Sequence, residues 1–173
     1  EAVREVENRL LGVETNITNW QRRQNANNNF SAVVPYDMEL QRKESKEFLD
    51  DLRAQTQVII ISDTFSQFAQ PLMRKLGWPT IFCNELVVAD DGTITGWKMR
   101  RAAKKEQVVE HLQAIGFQTI ASGDSHNDLG MIRTSKDGFL FRSTDAIIAE
   151  NPDLQAFEEF DDLLAAIKGA LEA

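Results

Sequence analysis

Phe117-Gln118-Thr119-Ile120-Ala121-Ser122-Gly123-Asp124-Ser125-His126-Asn127-Asp128 is the stretch that decides the fold. Its first half is an apolar run that reads as a short buried strand. Gly123 lets the backbone turn sharply, and Asp124 and Asp128 follow where a helix begins. Two carboxylates four residues apart at such a junction can face one point in space. Oxygen ligands of this kind suit a hard cation such as Mg²⁺. The plainer reading is that Asp124 and Ser125 cap the next helix, as acids and hydroxyls do. Two further elements favour a site for a metal and a phosphate. Val58-Ile59-Ile60-Ile61-Ser62-Asp63-Thr64 is an apolar strand ending in a hydroxyl, and Lys105 opens an amphipathic stretch leading into the Gly123 strand.

Composition bounds the rest. A chain of 173 residues that is 42% hydrophobic can bury one sizeable core. Its net charge of −8 and pI near 4.8 argue against a nucleic-acid or anionic-membrane partner. They leave room for a phosphorylated small molecule, because a few local donors and a cation outweigh a distant acidic surface. Cys83 is the only cysteine, so no internal disulfide can form; a cytoplasmic setting is expected, with Cys83 a core thiol. No apolar run approaches the roughly 20 residues of a membrane span. The first residue is Glu1 rather than Met, which raises the expectation of an upstream segment. The oligomeric state is not legible.

From Ser45 onward, helical and strand patterns alternate. Glu47 to Arg53 has helical spacing, Val58 to Ile61 is a β-branched run, and Phe65, Phe68, Leu72 and Leu76 predict one face of a helix ended by Gly77 and Pro79. Pro71 inside that helix predicts a kink or a break. Thr80 to Phe82 reads as a strand, and Leu86-Val87-Val88 with Thr93-Ile94-Thr95 reads as a hairpin closed by Asp91-Gly92. Lys105 to Leu112 is helical, Gln118 to Ala121 a strand, Leu129 to Ile132 a short helix and Phe139 to Phe141 a last strand. A closing helix carries Phe157, Phe160, Leu163, Leu164 and Ile167. The pattern predicts an α/β fold: a mostly parallel sheet in a three-layer α/β/α core, with its site at the carboxyl ends of the strands. Residues 41–173 form that core. Residues 1–40 form a separate N-terminal segment, with a helical pattern over Glu1 to Leu11 and an Asn-rich, loop-like stretch over Asn16 to Asn29.

Ser62, Lys105 and the Gly123–Asp128 stretch together resemble motifs two, three and four of the haloacid dehalogenase superfamily. The likeness is greater to its phosphoserine phosphatase branch, and greatest to bacterial members that also act as homoserine phosphotransferases. It is carried by Ile61 to Phe65, Phe68 to Arg74, Leu76 to Thr80 and Gly96 to Arg100, and runs from about Glu47 to near the C-terminus. The resemblance implies a Mg²⁺-dependent phosphomonoester hydrolase acting on a small phosphorylated metabolite, phosphoserine favoured, with transfer to homoserine as an extension. It implies that Ser62 hydrogen-bonds a phosphate oxygen and that Lys105 neutralises charge on the phosphoryl group. Asp63, Thr64 and Asn127 would complete the phosphate contacts. Asp124 would bind the metal, and Asp128 would sit with it or fix Lys105. His126 is read as a surface residue.

The resemblance also asks for a motif-one aspartate, which attacks phosphorus, at the end of an apolar strand. The nearest match is Ala32-Val33-Val34-Pro35-Tyr36-Asp37-Met38-Glu39, which makes Asp37 the candidate nucleophile. Pro35 argues against a central strand there, Leu40 replaces the family's glycine, and Asp37 to Ser62 leaves no room for a cap. The alternative places motif one upstream of Glu1. Two further functional classes stay open at this point. One is a catalytically incomplete protein that binds phosphate or a partner. The other is a receiver domain, disfavoured because receivers carry their paired acids early in the chain.

Overall fold

The computed structural model describes residues 36–99 and 104–172, with side chains from residue 43 onward. The expected N-terminal helix, the Asn-rich stretch and Ala32 to Pro35 lie outside the described residues. The chain divides into two units, 1–40 and 41–173, and the second is described here. Helix α1 (Tyr36–Arg53) crosses that boundary. Then follow β1 (Ile59–Phe65), α2 (Ser66–Lys75), β2 (Thr80–Val88), β3 (Ile94–Lys98), α3 (Lys105–Ala114), β4 (Ile120–Gly123) and α4 (Leu129–Thr134). The chain ends with β5 (Asp137–Phe141), α5 (Asp145–Glu150), β6 (Gln155–Phe157) and α6 (Phe160–Glu172). Among the described residues no helix is long and apolar enough to cross a membrane.

The strands form two three-stranded sheets, ordered β1-β2-β3 and β4-β5-β6. The pairs β1/β2, β4/β5 and β5/β6 are parallel, and β2/β3 is antiparallel. Two apolar clusters join the sheets. Ile61 of β1 packs on Val109, Ala121, Met131, Ile132, Leu140 and Ile147, and Val58 packs on the cluster that α6 builds with Leu163, Leu164 and Ile167. Each large aliphatic side chain removed from water in this way contributes about 1.5–3 kcal/mol. Ile132, Leu140 and Leu163 are fully buried, so β5 runs through the centre of its layer.

Several expectations shift. The face of α2 that packs inward is Phe65, Ala69, Met73 and Leu76, and Leu72 is about half exposed. The four-residue steps from Phe65 to Met73 track that face better than the larger side chains do. Pro71 does not break the helix, which runs unbroken to Lys75. It ends in a Schellman motif, with Trp78 N–H donating to the Met73 carbonyl and Gly77 N–H to that of Arg74, Gly77 taking φ +75°. The runs Thr80–Phe82 and Leu86–Val88 are one strand, β2. Its hairpin partner is Ile94–Lys98, and Gly92 turns the hairpin at φ +84°. Phe157 belongs to β6 rather than the closing helix. The short elements α5 and β6 had no periodic pattern long enough to announce them.

Candidate active site

The site sits where β1 and β4 end. Along β1 the pairing with β2 is Ile61 with Phe82 and then Phe65 with Asn84. Ser62, Asp63 and Thr64 therefore stand opposite Cys83 alone. Extra residues on one strand make a bulge, which bends the strand and re-aims its side chains. Two hydrogen bonds hold this bulge. Thr64 N–H donates to Ser62 Oγ at 3.2 Å, and Asn84 Nδ2 donates to the Asp63 carbonyl at 3.0 Å. By accepting from Thr64, the Ser62 hydroxyl keeps its own proton for donation elsewhere. Just beyond, the Gln67 side chain donates to the Leu86 carbonyl at 2.9 Å and accepts from Leu86 N–H at 3.0 Å, continuing the ladder where β1 has ended.

On the β4 side the turn begins at Gly123. A side chain there would place Cβ 2.4 Å from Cβ of Asp128, so the loop closes only around glycine. Asp128, 3% exposed, organises the turn. Its Oδ1 accepts from Lys105 Nζ at 2.5 Å. Its Oδ2 accepts from Asp124 N–H and Ser125 N–H, both at 3.2 Å, and is 2.8 Å from Ser125 Oγ. The Ser125 hydroxyl carries one proton and also stands against Asn127 Oδ1. Burial pushes the Asp128 carboxyl up, but the hydrogen bonds from Lys105 and Ser125 and the charge of Lys105 outweigh it and hold it below the usual carboxylate range. Lys105, the first residue of α3, is itself buried.

One residue links the two strand ends. Asp63 Oδ2 accepts from Asn127 Nδ2 at 2.8 Å and lies 3.9 Å from Lys105 Nζ. Asp63, Asn127, Lys105 and Asp128 are thus linked within unit 41–173, with Ser62 beside Asp63 in the bulge. Asp124 is exposed at the carboxyl end of β4. Both oxygens of Asp128 face protein donors, which leaves Asp124 as the carboxylate of this turn that is open to a cation. Among the described residues no three His, Cys, Asp or Glu side chains cluster as a metal cage. His126 is on the surface, its Nε2 2.9 Å from Glu150 Oε2.

Asp37 is placed otherwise than the candidate nucleophile requires. It lies in the first turn of α1, not at a strand end. Met38 to Lys43 are strong helix formers, which explains the conformation. Sequence reading also passed over Asn84. Its side chain is 2% exposed and its Oδ1 has no partner. The signal was available: a lone amide inside the apolar run Ile81-Phe82-Cys83-Asn84-Glu85-Leu86 calls for an explanation.

A sequence model of the haloacid dehalogenase-like hydrolases matches residues 17–133. The chain is 40% identical over 117 residues to phosphoserine phosphatase ThrH of Pseudomonas aeruginosa, covering 68% of this chain and 57% of that protein. It is also 40% identical over 117 residues to a phosphoserine phosphatase of Pseudomonas syringae pv. tomato, of which it covers 49%. The chain thus spans about half the length of the curated relatives it matches. Among solved structures, a substrate-bound phosphoserine phosphatase superimposes with TM-score 0.58 at 23% identity, over 70% of this chain and 61% of the other. A Bordetella pertussis protein of unknown function does so with TM-score 0.52 at 14% identity, over 84% and 83%. At such identities the structures speak for the fold, and the sequence match over most of the described core speaks for descent: the chain belongs to the haloacid dehalogenase-like hydrolase family.

Proposed function

We propose that this chain is a Mg²⁺-dependent phosphomonoester hydrolase of the phosphoserine type. The observation that carries the reading is the buried Lys105, pinned to Asp128 at 2.5 Å and presented at the same strand ends as Ser62 and Asn127. A buried ammonium fixed by one carboxylate is a preset counter-charge for a phosphoryl group. Ser62 Oγ and Asn127 Nδ2 are neutral donors suited to its remaining oxygens, and Thr64 N–H keeps the Ser62 hydroxyl oriented. Asp124 would hold Mg²⁺, whose chemistry there is to neutralise phosphate charge so that an anionic nucleophile can approach. Asp63 joins the set as an acceptor, its carboxylate taking donors rather than offering one. The alcohol acceptor homoserine is the natural extension of this reading, since a phosphoryl group held by Ser62 and Lys105 can pass to an alcohol as to water.

The decisive experiment is phosphate release from L-phosphoserine by the 173-residue chain, with and without Mg²⁺. Metal-dependent release that disappears in Asp124→Asn supports the reading, and full activity in that variant sinks it. The helical position of Asp37 favours a second reading, a protein that binds phosphate without turning it over. Phosphate binding by a folded sample that releases no phosphate from phosphoserine would establish that alternative.

A further inference from the structure

Half of the large apolar side chains that stand exposed among the described residues lie on one hairpin. Phe82, Val87 and Val88 of β2, Trp97 of β3 and Met99 just after it are each between 37% and 45% exposed. The register sorts them. Leu86 pairs with Trp97 and Val88 with Ile94, and opposed residues of an antiparallel pair share a face. Residues two apart along a strand share one as well, so Phe82, Val88, Ile94 and Trp97 stand on the same side, with Val87 on the other. Helix α2 does not cover that side, because its cluster takes Ile81 from the opposite one. Apolar side chains scattered singly need no partner, but a shared apolar face marks a docking surface.

Charge selects the occupant. The hairpin is acidic at its tip, where Asp90 and Asp91 are exposed, and basic at its root, where Lys98 is exposed and Arg100 and Arg101 follow in sequence. Lys98 pairs with Glu85, five residues along the chain from Asp90, so tip and root stand about 17 Å apart and cannot meet within one molecule. Lys98 alternates to the other side from Trp97, but among the described residues β3 is the edge strand, and a long lysine stem reaches around an edge. Two copies laid antiparallel about a two-fold axis bring each acidic tip to the other's basic root, because in such a contact residue i meets j and j meets i. A partner of a single sign would match one end and repel the other. We propose that this face of the β2–β3 hairpin docks a second copy of this chain. Val88, Trp97 and Met99 pack across the axis, and Asp90 meets the partner's Lys98 at both ends.

The test is sedimentation velocity of the full chain over about a hundredfold range of concentration. The parent should form a reversible dimer. Trp97→Ser should weaken it at least about tenfold, since a central aromatic anchor carries much of an interface's affinity. Val88→Ser removes less surface, should weaken it about threefold, and serves if circular dichroism shows that Trp97→Ser has not folded. Lys98→Glu and Asp90→Lys should each associate about tenfold more weakly, because each sets like charges together at both ends of the dyad. An equimolar mixture of those two variants should recover the parental dimer, since every tip-to-root contact in the mixed pair again joins opposite charges. A parent that stays monomeric throughout overturns the inference. So does a dimer unchanged by Trp97→Ser and Val88→Ser, which would place the contact elsewhere, and so does a mixture that associates no better than its components. The phosphate-site reading is tested separately, by phosphate release, and stands or falls without this dimer.

Discussion

The two strand ends that build the site are held in opposite ways. At the end of β4 the turn is tied by its own neighbours: Asp128 takes the backbone N–H groups of Asp124 and Ser125 within four residues, and Gly123 permits the close approach. At the end of β1 the bulge relies on a residue far along the chain, Asn84, whose amide reaches the Asp63 carbonyl from the neighbouring strand. The first end is buried and charged, with Asp128 and Lys105 paired out of solvent; at the second the Asp63 side chain is half exposed. Burial is concentrated where the Lys105–Asp128 pair is fixed, and exposure where the bulge ends.

The strongest way to break this contrast is at Lys105. Lys105→Met leaves the Asp128 carboxylate buried without its cation, and breaking one side of such a pair costs about 3–5 kcal/mol. Urea unfolding should show that loss, and the double variant Lys105→Met with Asp128→Asn should recover part of it by removing the stranded charge. Next in size is Gly123→Ala. The added methyl meets Asp128 at 2.4 Å, and overpacking of this kind costs about 1–3 kcal/mol. Its phosphate affinity should fall with its stability, because the same carboxylate holds the turn and Lys105. A Gly123→Ala protein with parental stability would show that the β4 turn is not the rigid half.

The β1 end should respond differently. Asn84→Leu removes one hydrogen bond and an acceptor that has no partner, so its net cost is about 1 kcal/mol. Its effect on the site should be larger than its effect on stability: with the Asp63 carbonyl released, the bulge relaxes and KM for a phosphomonoester rises while the unfolding midpoint barely moves. A matched fall in both would place Asn84 in the core alone. This split follows how the two ends were legible in the sequence. The β4 turn could be read directly, since Gly123, Asp124 and Asp128 are close together and their interactions are local. Lys105 could be read only through resemblance, because its partner Asp128 lies 23 residues away. Asn84 was signalled only as a lone amide in an apolar run, and the inward aim of Asp63 could not be read at all: it depends on a bulge, which arises from pairing between strands and has no signature in the spacing of either. The inward face of α2 was misjudged for a related reason, since the larger side chains drew the eye from the four-residue step of Phe65, Ala69 and Met73.

The β4 side carries one more tie, on its outer surface, and it sharpens the comparison by being weak. Arg133 of α4 donates to Asp153 at 2.7 and 3.1 Å and to Asn151 Oδ1 at 2.8 Å, joining the helix after the turn to the segment before β6. The Arg133 hydrogen bond, with help from the Asp153 backbone and the guanidinium charge, holds the Asp153 carboxyl below the usual range. A carboxyl lowered on folding stabilises the protein above its unfolded pKa, near 3.9, and that contribution is lost as pH falls through the lower folded value. Asp153→Asn should therefore lower stability slightly at neutral pH and flatten the pH dependence below about 4, measured as melting temperature across an acid series. Solvent screens an exposed pair, so the shift should be far smaller than that of Lys105→Met. A comparable loss would mean that the outer tie, rather than the buried Lys105–Asp128 pair, is what stiffens the β4 end.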